Sequence, residues 1–113
     1  MKKILAVILF FQASFVAAEQ QVICTGPVER LAYHQPDGLY LAIGSTGLFK
    51  ACSSEAQFKR TGPESCKLLA SLATTARATG KDIRVYIDNA PTANCADITD
   101  WHAADIRFFE LMP

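Results

Sequence analysis

The spacing of apolar residues along the chain predicts three strands in its first half. Apolar and polar side chains alternate over much of residues 21–33 and throughout 39–43, and a short apolar run follows at 48–52. Alternation with a period of two is typical of a strand with one buried face. The segments 35–38 and 44–47 are rich in Gly, Pro, Asp and Ser, which favour tight turns. Short turns between consecutive strands predict an antiparallel meander.

The first predicted strand contains a Gly26-Pro27 pair. Proline has no amide hydrogen and cannot donate to a neighbouring strand. We therefore expect residues 21–33 either to lie at a sheet edge or to lose their pairing, with a bulge, at Pro27.

A helical period replaces the strand pattern after residue 62. Thr61 or Gly62 is expected to cap the helix, Pro63 and Glu64 suit its first turn, and Gly80 suits a left-handed end. The residues on its apolar face are Cys66, Leu69, Leu72, Ala73 and Ala76. These features predict an amphipathic helix of about four turns that packs on a sheet.

Two more strands are predicted after the helix, at residues 83–88 and 106–111, with a long loop at 89–101 between them. The resulting fold class is mainly β with one α-helix. Three strands, a helix and two strands are the element order of the oligonucleotide/oligosaccharide-binding fold, a small antiparallel barrel. We therefore expect a five-stranded barrel of this type, with the helix between strands three and four.

The four cysteines are expected to form two disulfides, because an even number in a short exported chain is typical of a disulfide framework. Three connectivities are possible. The barrel topology favours Cys52–Cys66, which would join the third strand to the helix, and this leaves Cys24 to pair with Cys95. A zinc site would need closer Cys or His pairs than these.

Residues 1–18 have the pattern of a signal peptide: a basic start at Lys2 and Lys3, an apolar run, and small residues ending at Ala18. The apolar run is shorter than the roughly 20 residues of a membrane-spanning helix, which argues against an anchor. We expect cleavage after Ala18, leaving residues 19–113 as a single secreted or periplasmic domain with no membrane span.

The charge of this predicted mature domain argues against nucleic acid as a partner. Loss of Lys2 and Lys3 leaves nine basic residues against eleven acidic ones, a net charge of −2. Binding to nucleic acid depends on clustered basic side chains that neutralise phosphates, and the mature sequence has no such cluster.

Catalytic and metal motifs are weak in this sequence. His102 and Asp105 would pair only if their segment were helical, and no strained Gly-x-Ser-x-Gly turn presents a serine nucleophile. Asp97, Asp100 and Asp105 lack the spacing of a calcium loop, and Asp97 and Asp100 are better interpreted as turn or capping residues. The sequence therefore predicts a protein that is not an enzyme and that has no metal or other cofactor.

Aromatic residues are the better candidates for a binding surface. Trp101, followed by His102, lies in a polar loop, where an indole can stack on a sugar face or anchor an interface, but in a small barrel a tryptophan more often covers the core or makes a subunit contact. Tyr40 and Tyr86 should point outward if Ile83, Val85 and Ile87 point inward. With Phe109, these tyrosines are predicted to lie at subunit contacts in an oligomer or to be exposed in a monomer.

One segment resembles a known family. Residues 65–89 combine an alanine-rich helix ending in Thr79-Gly80 with a strand beginning Ile83-Arg84-Val85, and Ala51-Cys52-Ser53 precedes them. These motifs are similar to the B subunits of AB5 toxins, of the subtilase-cytotoxin and typhoid-toxin type. The resemblance implies a ring of five barrels that binds carbohydrate at its outer surface. It assigns no binding residue, because Gly26-Pro27-Val28 stands where that family has its sugar-contacting serine segment.

We therefore expect a non-enzymatic exported binding module that recognises a glycan or cell surface as a homo-oligomer, with five protomers as the number that the resemblance implies. The alternative is a periplasmic protein-interaction module, such as an inhibitor or assembly accessory, that works as a monomer or dimer. Fold alone does not decide between these functions.

Overall fold

Six strands and one α-helix are present in residues 19–113, the part of the chain that this computed structural model describes. The predicted signal peptide lies outside the described residues. Within residues 19–113 we find no helix that is both long and apolar enough to cross a membrane. The elements are β1 (Gln20–Gly26), β2 (Val28–His34), β3 (Gly38–Ile43), β4 (Phe49–Cys52), α1 (Pro63–Thr79), β5 (Ile83–Ala90) and β6 (Ile106–Leu111), with a 3₁₀ turn at Cys95–Asp97 before β6.

The strands form two antiparallel three-stranded sheets, with the orders β1-β5-β6 and β2-β3-β4. The prediction of a mainly β fold with one helix after the meander is confirmed. The prediction of a closed five-stranded barrel is wrong, because the described residues form six strands and no closed barrel.

Pro27 is the physical reason for the sixth strand. The predicted first strand divides at this residue: Gly26 pairs with Ile83 in one sheet, and Val28 pairs with Ile43 in the other. Pro27 cannot donate a hydrogen bond to either sheet, but its carbonyl accepts one from Gly44 N at 3.0 Å. The chain therefore passes from one sheet to the other at the residue where pairing was expected to fail.

β4 also pairs with the loop before β6 at one isolated parallel bridge, between Lys50 and Ala103. Lys50 N donates to the His102 carbonyl at 2.8 Å, and Ala104 N donates to the Lys50 carbonyl at 3.0 Å. The bridge does not extend into a ladder. β4 and β6 are therefore not paired, and the two sheets do not close into a barrel.

The hydrophobic core lies between the sheets and the helix. Its fully buried large side chains come from both sheets and from the loop before β6: Leu41, Ile43, Phe49, Ile83, Val85, Ile87 and Ile98. The helix has the predicted ends, with Gly62 as N-cap, Pro63 in the first turn and Gly80 in the left-handed conformation at φ 67°. Its buried face is Cys66, Leu69, Ala73 and Ala76, whereas Leu72 is only half-buried.

Both predicted disulfides are present. Cys52–Cys66 joins the end of β4 to the first turn of α1, and Cys24–Cys95 joins β1 to the 3₁₀ turn. In the chain-entropy model, a bridge that closes a loop of about 15 residues adds ~3 kcal/mol of stability. These cross-links support a domain that is small and therefore has a modest core.

An ion-pair network fixes the long connection between β4 and α1 to the other sheet. Arg60 donates to both carboxylate oxygens of Asp105, at 2.9 and 3.0 Å, and to Asp88 at 2.5 Å. Arg107 donates to the same Asp88 oxygen at 3.0 Å. The hydrogen bonds from Arg60 lower the pKa of Asp105 below its usual value, so this carboxylate is held in its charged form.

We predict that the Asp105→Asn variant loses less of its stability on acidification than the unaltered protein does. Because the folded-state pKa of Asp105 is lowered, the unfolded chain binds a proton at this site more readily. This contribution to stability is present above the unfolded pKa of about 4 and is lost as the pH falls through the folded pKa. Urea unfolding between pH 7 and pH 2.5 should show that Asp105→Asn is less stable at pH 7 and that its stability falls less in acid.

The control is Glu64→Gln. Glu64 pairs with Lys67 at 3.2 Å on the exposed helix surface, where ion pairs contribute little. Its pH profile should follow that of the unaltered protein. Identical profiles for Asp105→Asn and Glu64→Gln would contradict the assignment.

Candidate binding surface around Trp101

Trp101 lies in the loop between β5 and β6 and is presented outward by an uncommon backbone conformation. Its φ is 71°, and its side chain is 64% exposed. A bulky residue in the left-handed region costs of order 1–3 kcal/mol and is retained only where the surroundings hold it. The orientation of the indole is therefore determined by the contacts of the loop.

Hydrogen bonds to the two residues before β4 supply these contacts. Gly47 N donates to the Ile98 carbonyl at 2.7 Å, Leu48 N donates to Asp100 Oδ1 at 2.8 Å, and Trp101 N donates to the Leu48 carbonyl at 2.7 Å. The side chain of Ile98 is fully buried and anchors the loop in the core. Residues 98–101 are thus held alongside residues 47–48.

Tyr40 lies directly beneath Trp101. Its ring contacts the indole edge-to-face, with 5.3 Å between centroids and 73° between planes. Tyr40 points away from the main core and forms a small separate cluster with Ala42 and Leu48. The expectation of an outward, accessible Tyr40 is therefore wrong in its second part: Tyr40 is only 6% exposed, because the loop with Trp101 folds over it.

The hydroxyl of Tyr40 donates to the carboxylate of Asp37. Burial, reinforced by this hydrogen bond, raises the pKa of Tyr40 to about 12. Asp37 also accepts from Lys50 Nζ at 2.7 Å, and the hydrogen bonds from Lys50 and Tyr40 lower the pKa of Asp37. At neutral pH this cluster contains a neutral phenol, a carboxylate and an ammonium group.

Two more aromatic rings complete the surface. The His34 ring is 6.3 Å from the Tyr40 ring, edge-to-face, and Lys50 Nζ lies 4.5 Å from the centroid of Phe58. Tyr40 and Lys50 are paired across β3 and β4, which places them side by side. We call this set the Trp101 surface; it comprises His34, Asp37, Tyr40, Lys50, Phe58 and Trp101.

A cavity of about 480 Å³ opens beside Asp37 and Lys50. Its other lining residues are Pro36, Ser53, Glu55, Ala56, Gln57 and Phe58. The volume is in the range of small-ligand sites, ~300–1,000 Å³. Polar side chains and an aromatic wall therefore face a space that can hold part of a ligand.

His102 and Asp105 do not form the pair that a helical segment would have produced. The segment from Trp101 to Asp105 is not helical. Arg60 engages both oxygens of Asp105, and Nε2 of His102 is buried without a hydrogen-bond partner. His102 is next to Trp101 in the chain. Its contact with β4 is made by its backbone carbonyl, which accepts a hydrogen bond from Lys50 N.

Tyr86 lies on the other sheet. It is half-buried and contacts Phe108, with 5.2 Å between ring centroids. The expectation that Phe109 points outward is wrong: Phe109 is half-buried against the core, and Phe108 is 48% exposed. Tyr86 and Phe108 thus share the outer face of the β1-β5-β6 sheet, and the structure does not bring Tyr86 together with Trp101.

The three acidic residues of the loop have separate partners. Asp97 Oδ2 accepts from Thr92 Oγ1 at 2.7 Å, Asp100 from Leu48 N, and Asp105 from Arg60. The predicted capping role belongs to Asn94, whose side chain accepts from Ala96 N at the 3₁₀ turn. Among residues 19–113, no three His, Cys, Asp or Glu side chains are grouped as metal ligands would be.

Asp37, Lys50 and Phe58 were not predicted as site residues. The alternation of 39–43 places Tyr40 on the outward face of its strand, but the sequence does not indicate the register in which this strand pairs with 48–52, and that register brings Tyr40 and Lys50 together. Phe58 lies in a connection without periodicity, so no local signal identifies it.

Comparison with models of known protein families, with characterised proteins and with solved structures gives no match to this chain. The similarity to AB5 toxin B subunits therefore stays a prediction from sequence motifs.

We predict that Gly47→Ala disturbs the Trp101 loop. A Cβ at residue 47 would lie 2.7 Å from Asp100 N and from the Thr99 carbonyl carbon, and backbone atoms cannot yield as a flexible side chain can. The loop should move away from β4, with a loss of ~1–3 kcal/mol of stability, as is typical of overpacking. A change in the emission of Trp101, the only tryptophan, would report the movement.

Gly80→Ala is the matched control. A Cβ there meets no atom within 4 Å, but φ is 67°, so the substitution strains the backbone without touching the Trp101 loop. It should cost ~1–2 kcal/mol and leave the emission spectrum unchanged. Unchanged emission in Gly47→Ala would show that the loop does not depend on this close contact.

Proposed function

We propose that the protein is an exported, non-enzymatic binding module that recognises glycans through the Trp101 surface. The observation that carries the proposal is Trp101 itself: its indole is 64% exposed, yet its backbone is held at φ 71° by the loop contacts and its ring is supported by Tyr40. Tyr40 is buried under it, so the indole is the accessible part of the aromatic pair.

The chemistry of sugars suits this arrangement. The C–H face of a pyranose ring is apolar and packs on an aromatic ring, while its hydroxyl groups need hydrogen-bond partners at the edge. Asp37 and Lys50 supply such partners next to Tyr40. A side chain whose orientation is already determined loses little freedom on binding, so more of the contact energy appears as affinity.

The exported location rests on the cysteines and the predicted signal peptide. Two disulfides fit the oxidising periplasm or the extracellular medium, where such bonds persist.

We extend the proposal to the assembly: the module works as a homo-oligomer of the toxin-B type, with five protomers as the expected number. Leu68 on α1 is 67% exposed and Phe108 on β6 is 48% exposed. Both line a groove of about 360 Å³ between α1 and β6. Burial against a neighbouring protomer would remove this apolar surface from water.

The same groove favours a second function, that of a periplasmic protein-interaction module acting as a monomer or dimer. β6 is an edge strand of its sheet, and the groove runs beside it. A partner protein would cover Leu68 and Phe108 in place of a second copy.

The glycan proposal predicts that Trp101→Ala loses binding on a glycan array and in calorimetry with the glycans that bind. Affinity should fall about 10- to 100-fold, since loss of an aromatic anchor typically costs ~2 kcal/mol or more, and Trp101→Phe should keep part of it. Ile23→Ala is the control and should bind normally, because Ile23 is exposed on β1 and belongs neither to the Trp101 surface nor to the groove between α1 and β6. Equal affinities for Trp101→Ala and the unaltered protein would reject Trp101 as the site.

The assembly is tested by the solution mass of residues 19–113, measured by light scattering at micromolar concentration. About five protomers would support the toxin-B-like arrangement, and Leu68→Asp should then reduce the mass by placing a charge in the buried groove. A monomer would contradict the oligomer and favour the protein-interaction module.

A further inference from the structure

We infer that the Trp101 surface recognises an uncharged glycan of at least two sugar residues, with one sugar on Trp101 and the next in the cavity beside Asp37, Lys50 and Phe58. This inference rests on the proposed glycan-binding function and names the class of ligand.

The indole and the cavity are linked by a continuous series of contacts. Trp101 packs on Tyr40, whose hydroxyl donates to Asp37. Asp37 binds Lys50, and Lys50 lies over the Phe58 ring. Asp37, Lys50 and Phe58 belong both to the Trp101 surface and to the lining of the cavity, so the contacts that support the indole continue into the cavity wall.

The cavity has the groups that a second sugar needs. Phe58 provides an apolar wall, and Ser53, Glu55 and Gln57 provide a hydroxyl, a carboxylate and an amide. Ser53 is 6% exposed, and its Oγ accepts a hydrogen bond from Glu55 N at 3.2 Å, which leaves its hydroxyl hydrogen for another acceptor. A carboxylate accepts from sugar hydroxyls, and a hydroxyl or an amide can both donate and accept.

The charge of the lining argues against an anionic sugar. The cavity is lined by two carboxylates, Asp37 and Glu55, and by one ammonium group, Lys50, so its lining has a net charge of −1. Lys50 is bound to Asp37 at 2.7 Å and is not free to neutralise a ligand. Beside the indole, Asp100 adds another negative charge. Like charges at a binding site cost affinity and exclude the wrong ligand.

Arginine is the side chain best suited to hold a carboxylate, since its guanidinium group can make two parallel hydrogen bonds to it. None of the residues that line this cavity is an arginine. Arg60, which follows Phe58 by two positions, is engaged by Asp105 and Asp88. The lining therefore has hydrogen-bonding capacity for hydroxyl groups and no cation reserved for an acid.

The test uses residues 19–113 with matched pairs of glycans: neutral oligosaccharides, the same oligosaccharides ending in sialic acid, and the neutral monosaccharide units. We expect the neutral form of each pair to bind at least 10-fold more tightly than the sialylated form. Phe58→Ala should lower the affinity for the neutral oligosaccharide several-fold and leave the affinity for the monosaccharide unchanged.

Glu55→Lys and Glu55→Gln provide a second readout that does not depend on packing, because Glu55 is exposed. Glu55→Lys should reduce or reverse the preference for the neutral form, and Glu55→Gln should reduce it by a smaller factor. Retained melting temperature and circular dichroism would show that these variants fold. If Phe58→Ala does not fold, the glutamate variants alone decide the charge preference, and chain-length dependence in the unaltered protein decides the second subsite.

The outcomes separate the two proposals. Trp101-dependent binding with a preference for sialylated glycans would overturn this inference and leave the glycan-binding function standing. Equal affinity for monosaccharide and oligosaccharide would overturn the second subsite. Binding to no glycan, or binding unaffected by Trp101→Ala, would overturn both.

Discussion

The backbone pairing between residues 47–50 and residues 98–104 determines much of what this molecule presents to its surroundings. It contains the isolated parallel bridge between β4 and the loop before β6, at Lys50 and Ala103. It also forces Trp101 into a left-handed conformation, with its amide bound to the Leu48 carbonyl. The indole then covers Tyr40, which would otherwise leave a large apolar ring on an open sheet face. This one contact thereby positions the loop that carries Trp101 over the face of the sheet that carries Tyr40.

The described domain has two different surfaces. On the β2-β3-β4 sheet, a loop covers the outer face and leaves a tryptophan beside paired charges, which suits a small polar ligand. In the groove between α1 and β6, Leu68 and Phe108 remain exposed next to an edge strand. That groove suits a protein, whether a second copy or a partner. A binding module that assembles through the groove and recognises its ligand with the Trp101 surface would use both.

Local sequence signals were sufficient to place the elements whose ends are marked by a proline or a glycine. Pro63 and Gly80 mark the two ends of the helix, because proline suits a first turn and glycine suits a left-handed end. Both lie where predicted. Pro27 marked the place where strand pairing fails, although the consequence, two strands in two sheets, needs the positions of both partners. The prediction for Tyr40 failed because alternation gives the side of a strand, not the loop that covers it. The prediction for Phe109 failed for a related reason, because the register in which β6 pairs with β5 decides which face of the sheet Phe109 occupies.

The sequence by itself determined the mainly β class, the helix and its ends, and, through the order of elements, a disulfide pairing that the structure confirms. Each follows from backbone conformational preference, residue spacing or short connections, which are local properties. Only the tertiary structure decided that the sheets stay open, that Asp37, Lys50 and Phe58 meet beside Tyr40, and that Arg60 occupies Asp105. These contacts join residues whose separation in the chain carries no periodic signal. They form only when the two sheets and the loop have taken their positions.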